Sequence, residues 1–206
     1  KGSAQRGLSN EEYFEILARE LTKALTEQTH EGYLYRVDLR LRAEGSVGQL
    51  TRSLDEYDKY YRTRGQVWER LALLKAWPIA GSQGVGRSFV KLVRPFVLAS
   101  PSERSDVEQG LAIVEEVRSV KERIDAKMAE RGHEQRNVKL GGGGIREIEF
   151  FVQTIQVLAG RRLPGILDRG TIGSLARLHN AGILSAKHQS GLTRAYQFLR
   201  DVEHKL

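Results

Sequence analysis

The chain contains no cysteine among its 206 residues. Neither a disulfide framework nor a thiolate metal site is available, so we expect a reducing, cytoplasmic compartment. The sequence also has no signal peptide, and no apolar run approaches the roughly 20 residues that a membrane-spanning helix needs. A dense basic block and a recognised nucleic-acid module are missing too, so neither a membrane nor a nucleic acid is an expected partner.

What is present indicates a globular chain with polyanionic or nucleotide-bearing partners. Hydrophobic residues make up 40% of the sequence, which is adequate for a core. The net charge is +7, although the basic residues are scattered. The chain begins at Lys1 without an initiator methionine and ends inside a helical pattern, so we expect it to be a fragment of a longer protein.

Helical patterns dominate the sequence. Ser9 with Glu12, and Ser53 with Glu56, match the capping box that opens a helix. Apolar residues at helical spacing then predict helices over about 10–26, 53–64, 68–77, a shorter run through 89–96, 107–131, 145–159, 171–181 and 185–206.

The exception is a strand predicted over residues 33–42, whose two faces differ in chemistry. Its apolar face holds two tyrosines, a valine and two leucines, whereas Arg36, Asp38, Arg40 and Arg42 lie on the other face. Guanidinium groups grip phosphate oxygens, and a carboxylate among them can hold a divalent metal. The alternative to a ligand-binding face, which the sequence favours equally, is an ordinary strand face that is solvated and ion-paired. A flexible turn is expected over 43–48.

A second candidate site begins at Lys139 and continues through the four glycines of 141–144 into a helix. A glycine loop before a helix N-terminus can bind an anion through free backbone amides, which would assign this role to Gly142 and Gly143. A flexible hinge is the alternative. Glu147 and Glu149 point about 200° apart on an ideal helix, so at most one faces a ligand and the other is expected to pair with an arginine.

A third candidate is the helix that carries Trp68, Glu69 and Lys75. Lys75 could reach a phosphate or lie on a solvated face. We expect Glu69 to be solvated, and we expect Trp68 and Trp77 to lie in the core.

These stretches together resemble one family, the bifunctional glutamine synthetase adenylyltransferase and adenylyl-removing enzyme of bacteria. The resemblance covers nearly the whole chain. Its motifs are Tyr-Arg-Val-Asp-Leu-Arg-Leu-Arg at 35–42, Trp-Glu-Arg at 68–70 with Leu-Lys-Ala at 74–76, Arg-Pro-Phe-Val at 94–97, and the stretch 139–150. The last motif is similar to the adenylyl-removing half, because the adenylylating half usually has an acidic residue in the glycine loop and Asp in place of Glu147.

The resemblance implies an α+β, mostly helical fold: a partial polymerase-β-like nucleotidyltransferase palm at 1–100, followed by a helical bundle at 101–206. It implies phosphorolytic removal of AMP from a tyrosine of glutamine synthetase, giving ADP. Other implied partners are a PII-type signal protein, ATP or ADP, and phosphate. The alternatives are the adenylylating half, which uses ATP, and a non-catalytic docking module.

The resemblance also implies roles for the residues singled out above. Asp38 matches the third catalytic carboxylate that binds Mg²⁺. Arg40, Arg42 and Lys75 would hold phosphates, and the glycine loop with Arg146 and Glu147 would form a wall of the cleft. This sequence departs from the family pattern, because no Gly-Ser element with a following Asp-x-Asp pair precedes Asp38. We therefore expect the fragment to be inactive alone.

Overall fold

The structure is a computed structural model that describes residues 7–98, 106–130 and 137–205. Within these ranges it contains eight α-helices, and the mostly helical prediction is confirmed. The helices are α1 Asn10–Thr26, α2 Leu54–Thr63, α3 Val67–Leu73, α4 Gln83–Val97, α5 Asp106–Ala129, α6 Ile145–Ala159, α7 Thr171–Asn180 and α8 Ala186–Lys205.

Local capping chemistry sets the start of the first two helices, as the sequence predicts. The Ser9 hydroxyl accepts a hydrogen bond from the Glu12 amide at 3.2 Å, and the Glu12 carboxylate accepts one from the Ser9 amide at 2.7 Å. Ser53 and Glu56 repeat both bonds at the start of α2. Each pair satisfies amide groups that a helix N-terminus leaves without partners, so both capping-box predictions are confirmed.

The strand predicted over residues 33–42 is wrong. Among the described residues the only β-type pairing is an isolated bridge between Thr29 and Gly32, and residues 33–38 are irregular. The predicted buried face is also open, because Tyr35 and Leu41 keep 67% and 69% of their surface exposed. A strand needs a neighbouring strand to pair its backbone groups, and the described residues offer none beside this segment.

The chain divides into two compact units, one ending at Gly65 and the other beginning at Gln66. The domain boundary predicted near residue 100 falls at 99–105, outside the described residues, and it stays a prediction. In the first unit α1 buries none of its residues, and its apolar residues Phe14, Leu17 and Leu21 are about half exposed.

The second unit is built around α6, which packs against α3, α5, α7 and α8. Val152 of α6 belongs to one buried cluster with residues of α7, and Val157 belongs to another with residues of α3 and α5. Helical spacing places Gln153 and Gln156 opposite the apolar stripe of α6, on a face predicted to be polar, yet they are only 7% and 1% exposed. A helix surrounded by four others has little solvent-facing surface, which overturns the simple amphipathic prediction.

Gln156 compensates for its burial with hydrogen bonds. Its side-chain amide nitrogen donates to the carbonyl oxygens of Ile166 and Asp168 and to the Ser174 hydroxyl, at 3.0–3.1 Å. These bonds fasten the segment between α6 and α7 to the core. No helix in the described ranges combines the length and apolarity that a membrane crossing requires.

Candidate functional site

Asp38, the predicted catalytic carboxylate, forms a close ion pair with Arg40. The Arg40 Nε and Nη2 atoms donate to the two carboxylate oxygens at 2.9 and 2.7 Å, and the Arg40 amide donates to Oδ1 at 3.0 Å. These side-chain and backbone hydrogen bonds hold the pKa of Asp38 well below its usual range, with a smaller contribution from the nearby charge of Arg36. Both partners are accessible, with 45% of the Asp38 side chain and 73% of the Arg40 side chain exposed.

This geometry fits a Mg²⁺ site poorly. Mg²⁺ prefers about six oxygen ligands in octahedral geometry and is usually held by one or two carboxylates together with waters and substrate phosphates. No group of three acidic or histidine side chains suited to a metal occurs in the part of the chain that the structure describes. Asp38 offers one carboxylate, and Arg40 already occupies both of its oxygens.

Arg42 lies two residues further on and is committed to its own loop. Its guanidinium donates to the carbonyl oxygens of Gly48 at 2.8 Å and Ser46 at 2.9 Å, and also to that of Leu39. Arg42 therefore folds the segment that follows Asp38. A phosphate-binding role would require at least one of these bonds to be given up, and that role stays a prediction.

The expected flexible turn at 43–48 is instead tightly bonded. Glu44 has a left-handed backbone with φ 64°, and its carboxylate pairs with Arg52 and, at 3.2 Å, with Arg64. The Tyr60 hydroxyl accepts a hydrogen bond from the Glu44 amide at 3.1 Å. Sequence reasoning missed this cluster, because its members are up to 20 positions apart and no local motif joins them.

In the glycine loop, the backbone amides that could bind an anion already donate hydrogen bonds to carbonyl oxygens of the loop. The amides of Ile145 and Arg146, the first two of α6, donate to the carbonyl oxygens of Val138 and Lys139 at 3.0 and 3.1 Å. The next amide, that of Glu147, donates within the loop as well. A helix N-terminus binds an anion through unpaired amides, so the α6 terminus is not ready to receive one in this conformation.

Two glycines of the loop have a structural reason to be glycine, and a third has none. Gly143 has φ +74°, a left-handed conformation that favours glycine. At Gly144 an added Cβ would lie 2.7 Å from the carbonyl oxygens of Gly141 and Val138. At Gly142 an added Cβ would meet nothing within 4 Å, and the backbone is not left-handed. The fold of this chain therefore gives Gly142 no steric reason to lack a side chain.

Glu147 and Glu149 both form ion pairs, and in each case the partner is a lysine rather than the expected arginine. Glu147 pairs with Lys121 of α5 at 3.0 Å. Glu149 pairs with Lys75 at 3.3 Å and accepts a hydrogen bond from the Tyr196 hydroxyl of α8 at 3.2 Å. The two carboxylates thus diverge as predicted, and each one joins α6 to a neighbouring element.

The remaining predicted residues of this unit have different side-chain partners. Lys139 pairs with Glu203 of α8 at 3.3 Å, and the Arg146 guanidinium lies 5.9 Å from the centre of the Phe150 ring. Lys75 joins Glu149, so the structure brings it together with α6 but not with Lys139. The joint cleft implied by the resemblance stays a prediction.

The expectation of a solvated Glu69 is wrong, since this residue is only 2% exposed. Its carboxylate accepts a hydrogen bond from the Gln66 amide at 2.7 Å, so it folds back over the start of α3. The core prediction for Trp77 is also wrong. Trp77 is 62% exposed, and the Arg169 guanidinium lies 3.8 Å from its ring centre.

Comparisons with known proteins first define a class. Residues 1–92 match the family model described as glutamate-ammonia ligase adenylyltransferase, and residues 115–206 match the one described as GlnD PII-uridylyltransferase. Both descriptions name enzymes that transfer a nucleotidyl group, so both parts of the chain are similar to segments of nucleotidyltransferases.

The relatives are more particular. The chain is 40% identical over 203 residues to the bifunctional glutamine synthetase adenylyltransferase/adenylyl-removing enzyme of Nitrosococcus oceani, covering 98% of the chain and 20% of the relative. The proteins of the same name from Bartonella henselae and Rhizobium meliloti are 39% and 41% identical over 94% and 95% of the chain. The chain spans about a fifth of the length of these relatives. It is homologous to one segment of this bifunctional enzyme, and the resemblance is confirmed at that level.

Proposed function

We propose that the chain is part of the adenylyl-removing half of such an enzyme. In the proposed reaction an oxygen of inorganic phosphate attacks the phosphorus of AMP on a tyrosine of glutamine synthetase. The bond from phosphorus to the tyrosine oxygen breaks, ADP leaves, and the tyrosine hydroxyl recovers a proton. The observation that carries this choice of half is the glycine loop without an acidic residue, followed by Glu147.

The geometry of the first unit supports a binding role for Arg40 rather than Arg42. Arg40 is exposed and held by one carboxylate, whereas Arg42 is tied to backbone carbonyl groups. A phosphate oxygen can replace the Asp38 carboxylate as the partner of Arg40, because guanidinium groups bind both anions in the same forked geometry. That exchange would free the oxygens of Asp38.

In the second unit the same reasoning selects Lys75 as the phosphate-binding residue. Its ammonium is 3.3 Å from Glu149, and 38% of its side chain is exposed, so the pair is open to an incoming anion. Exposed ion pairs of this kind contribute little to stability, and replacing one partner costs little.

The described residues do not form a Mg²⁺ site, so we derive no step through a metal. We propose that the 206 residues supply one carboxylate and a helical wall, and that they are inactive alone. A PII-type signal protein as partner and a cytoplasmic location stay predictions from the sequence.

A chimera tests the function. The matching segment of the Nitrosococcus oceani enzyme, 20% of that protein, is replaced by this chain. We expect the chimera to release ADP from adenylylated glutamine synthetase when phosphate is present, and the isolated chain to release none. The parent enzyme is the control.

Two results would count against the proposal. If the chimera kept ADP release but lost AMP transfer from ATP, the segment would belong to the adenylylating half. If the isolated chain released ADP by itself, the proposal that these 206 residues supply one carboxylate and are inactive alone would be wrong. Binding of the isolated chain to glutamine synthetase without any ADP release from the chimera would favour the docking module.

A further inference from the structure

The second unit contains a hollow whose lining includes none of the predicted site residues. It lies between α3, α4 and the segment that leads into α7, and its volume is about 390 Å³. This size lies in the range of roughly 300–1,000 Å³ that is usual for small-molecule sites. Its apolar lining includes Leu73, Leu74, Val90, Val93, Val97 and Leu167.

The lining also carries one acidic and three basic side chains. Asp168, the acidic one, is occupied, since it pairs with Arg177 at 3.0 Å and accepts a hydrogen bond from the Gly170 amide at 2.8 Å. Arg94 is exposed and has no ion-pair partner within the described ranges. Arg169 lies over the ring of Trp77 rather than beside a carboxylate. Two positive charges at the hollow are therefore uncompensated by a carboxylate.

An apolar wall with two such guanidinium groups suits a ligand that has an apolar body and an anionic group. Arginine binds carboxylates and phosphates through paired hydrogen bonds, and these bonds are strongest where water is partly excluded. The apolar wall contributes burial of the ligand body. The exposed Trp77 ring, already stacked by Arg169, places an aromatic surface beside the same charges.

We propose that this hollow binds a small organic anion, a carboxylate or phosphate attached to an apolar or aromatic body. None of its lining residues belongs to the first unit or to the glycine loop, and the proposal does not depend on the proposed AMP removal. A small ligand suits the hollow better than a partner helix does, because its volume is of small-molecule size and both uncompensated arginines are among its lining residues.

The test uses the 206-residue chain and the fluorescent probe 8-anilinonaphthalene-1-sulfonate, which combines aromatic rings with one anionic group. Trp77 beside the hollow can transfer excitation energy to the bound dye. We expect one saturable site per chain, with competition by phenyl phosphate or benzoate. Weaker competition by inorganic phosphate would show that the apolar body contributes, and the better of the two aromatic competitors would identify the anionic group.

Two variants locate the dye. Arg94→Ala removes an exposed side chain and should weaken binding about tenfold, as expected for loss of one charged hydrogen-bonding partner. Val90→Phe adds bulk at a partly exposed lining position and should block the site. Lys91→Ala, a neighbouring exposed charge on α4 that does not line the hollow, is the matched control and should bind within twofold of the unmodified chain. Circular dichroism checks that each variant keeps its helix content.

The proposal is overturned if both variants bind the dye as tightly as the unmodified chain, because the dye then lies elsewhere. It is also overturned if no saturable site exists, or if the uncharged N-phenyl-1-naphthylamine binds equally well. If the number of dye sites per chain falls as the protein concentration rises, a second copy of the chain covers the hollow. That result would overturn the small-ligand proposal as well.

Discussion

Among single residues, Arg40 governs the chemistry of Asp38. Three hydrogen bonds from Arg40 stabilise the ionised carboxylate, and an exposed arginine can also be drawn away by a phosphate. The same residue thus holds Asp38 in its charged form and could release it when substrate arrives. This arrangement accounts for a carboxylate next to arginine without assuming that a metal is bound.

The first prediction concerns the titration of Asp38. Because its folded-state pKa is depressed, Asp38 contributes stability that is present above its unfolded pKa of about 3.9 and lost as the pH falls below that value. Arg40→Ala should raise the pKa of Asp38 toward its ordinary value, because it removes the side-chain hydrogen bonds. Carboxylate carbon shifts followed by NMR from pH 6 to pH 2 measure this change.

Arg19→Ala is the control for that titration. Arg19 pairs with Glu15 through a similar exposed ion pair and does not contact Asp38. An unchanged Asp38 pKa in Arg40→Ala would show that the ion pair does not hold the carboxylate in solution.

The second prediction concerns the buried carboxylate of Glu69. Glu69→Ala removes a buried side chain and leaves the partly buried Gln66 amide without its acceptor, so the free energy of unfolding should fall by about 1–3 kcal/mol. Glu69→Gln keeps an acceptor oxygen of the same reach and should lose less. Urea unfolding followed by tryptophan fluorescence measures both, since Trp68 and Trp77 lie in the second unit. Equal losses in the two variants would mean that the charge matters and the cap does not.

Among the elements, the loop before α6 shows how a glycine run can be structural and still leave room for a ligand. Its carbonyl oxygens take the first amides of the helix, so the loop is a folded cap rather than a hinge. Gly142 has no steric reason inside this fold to be glycine, and it is exposed. We infer that any close approach of a ligand to this loop occurs at Gly142.

The third prediction compares two alanine substitutions in that loop. Gly144→Ala places a Cβ against two carbonyl oxygens and should lower the free energy of unfolding by about 1–3 kcal/mol. Gly142→Ala should leave stability nearly unchanged, because its Cβ would point into open space. In the chimera, Gly142→Ala should nevertheless reduce phosphate-dependent ADP release.

Thermal unfolding and the ADP assay separate these effects. Full activity in Gly142→Ala would remove this loop from the list of ligand-contacting segments. A destabilised Gly142→Ala chain would show that the loop has another conformation in solution.

The elements also show what the sequence could predict. Helix starts at Ser9 and Ser53 are predictable because the capping box is complete within four residues. The segment at 33–42 was misassigned because alternation describes side-chain faces, while a strand also needs a partner that a single segment cannot reveal. Gln153 and Gln156 were placed on a polar face, since their burial depends on helices that lie far away in the sequence.

Across the whole molecule, the sequence indicates which charged residues are candidates for a site, but it does not indicate which residues they contact. Asp38, Lys75 and Glu149 are charged residues in recognisable motifs, yet their partners Arg40, Glu149 and Tyr196 follow from the folded arrangement. The cluster at Glu44 and the hollow beside Arg94 left no local signal. Long-range packing determines both, and the order of residues along the sequence does not reveal that packing.

The exposed apolar residues of α1 are a further property of the whole molecule. Phe14, Leu17 and Leu21 lie at helical spacing, and each keeps about half of its surface exposed. Apolar surface of this kind destabilises an isolated chain in water and favours association.

The most direct measurement is the effect of Asp38→Asn on the two activities of the chimera with the Nitrosococcus oceani enzyme. The substitution removes one charge at an exposed position, so the fold should be kept, and circular dichroism checks this. We predict that phosphate-dependent ADP release falls by at least 100-fold, while AMP transfer from ATP to unmodified glutamine synthetase stays within twofold. Loss of AMP transfer with intact ADP release would contradict the account and assign the segment to the adenylylating half.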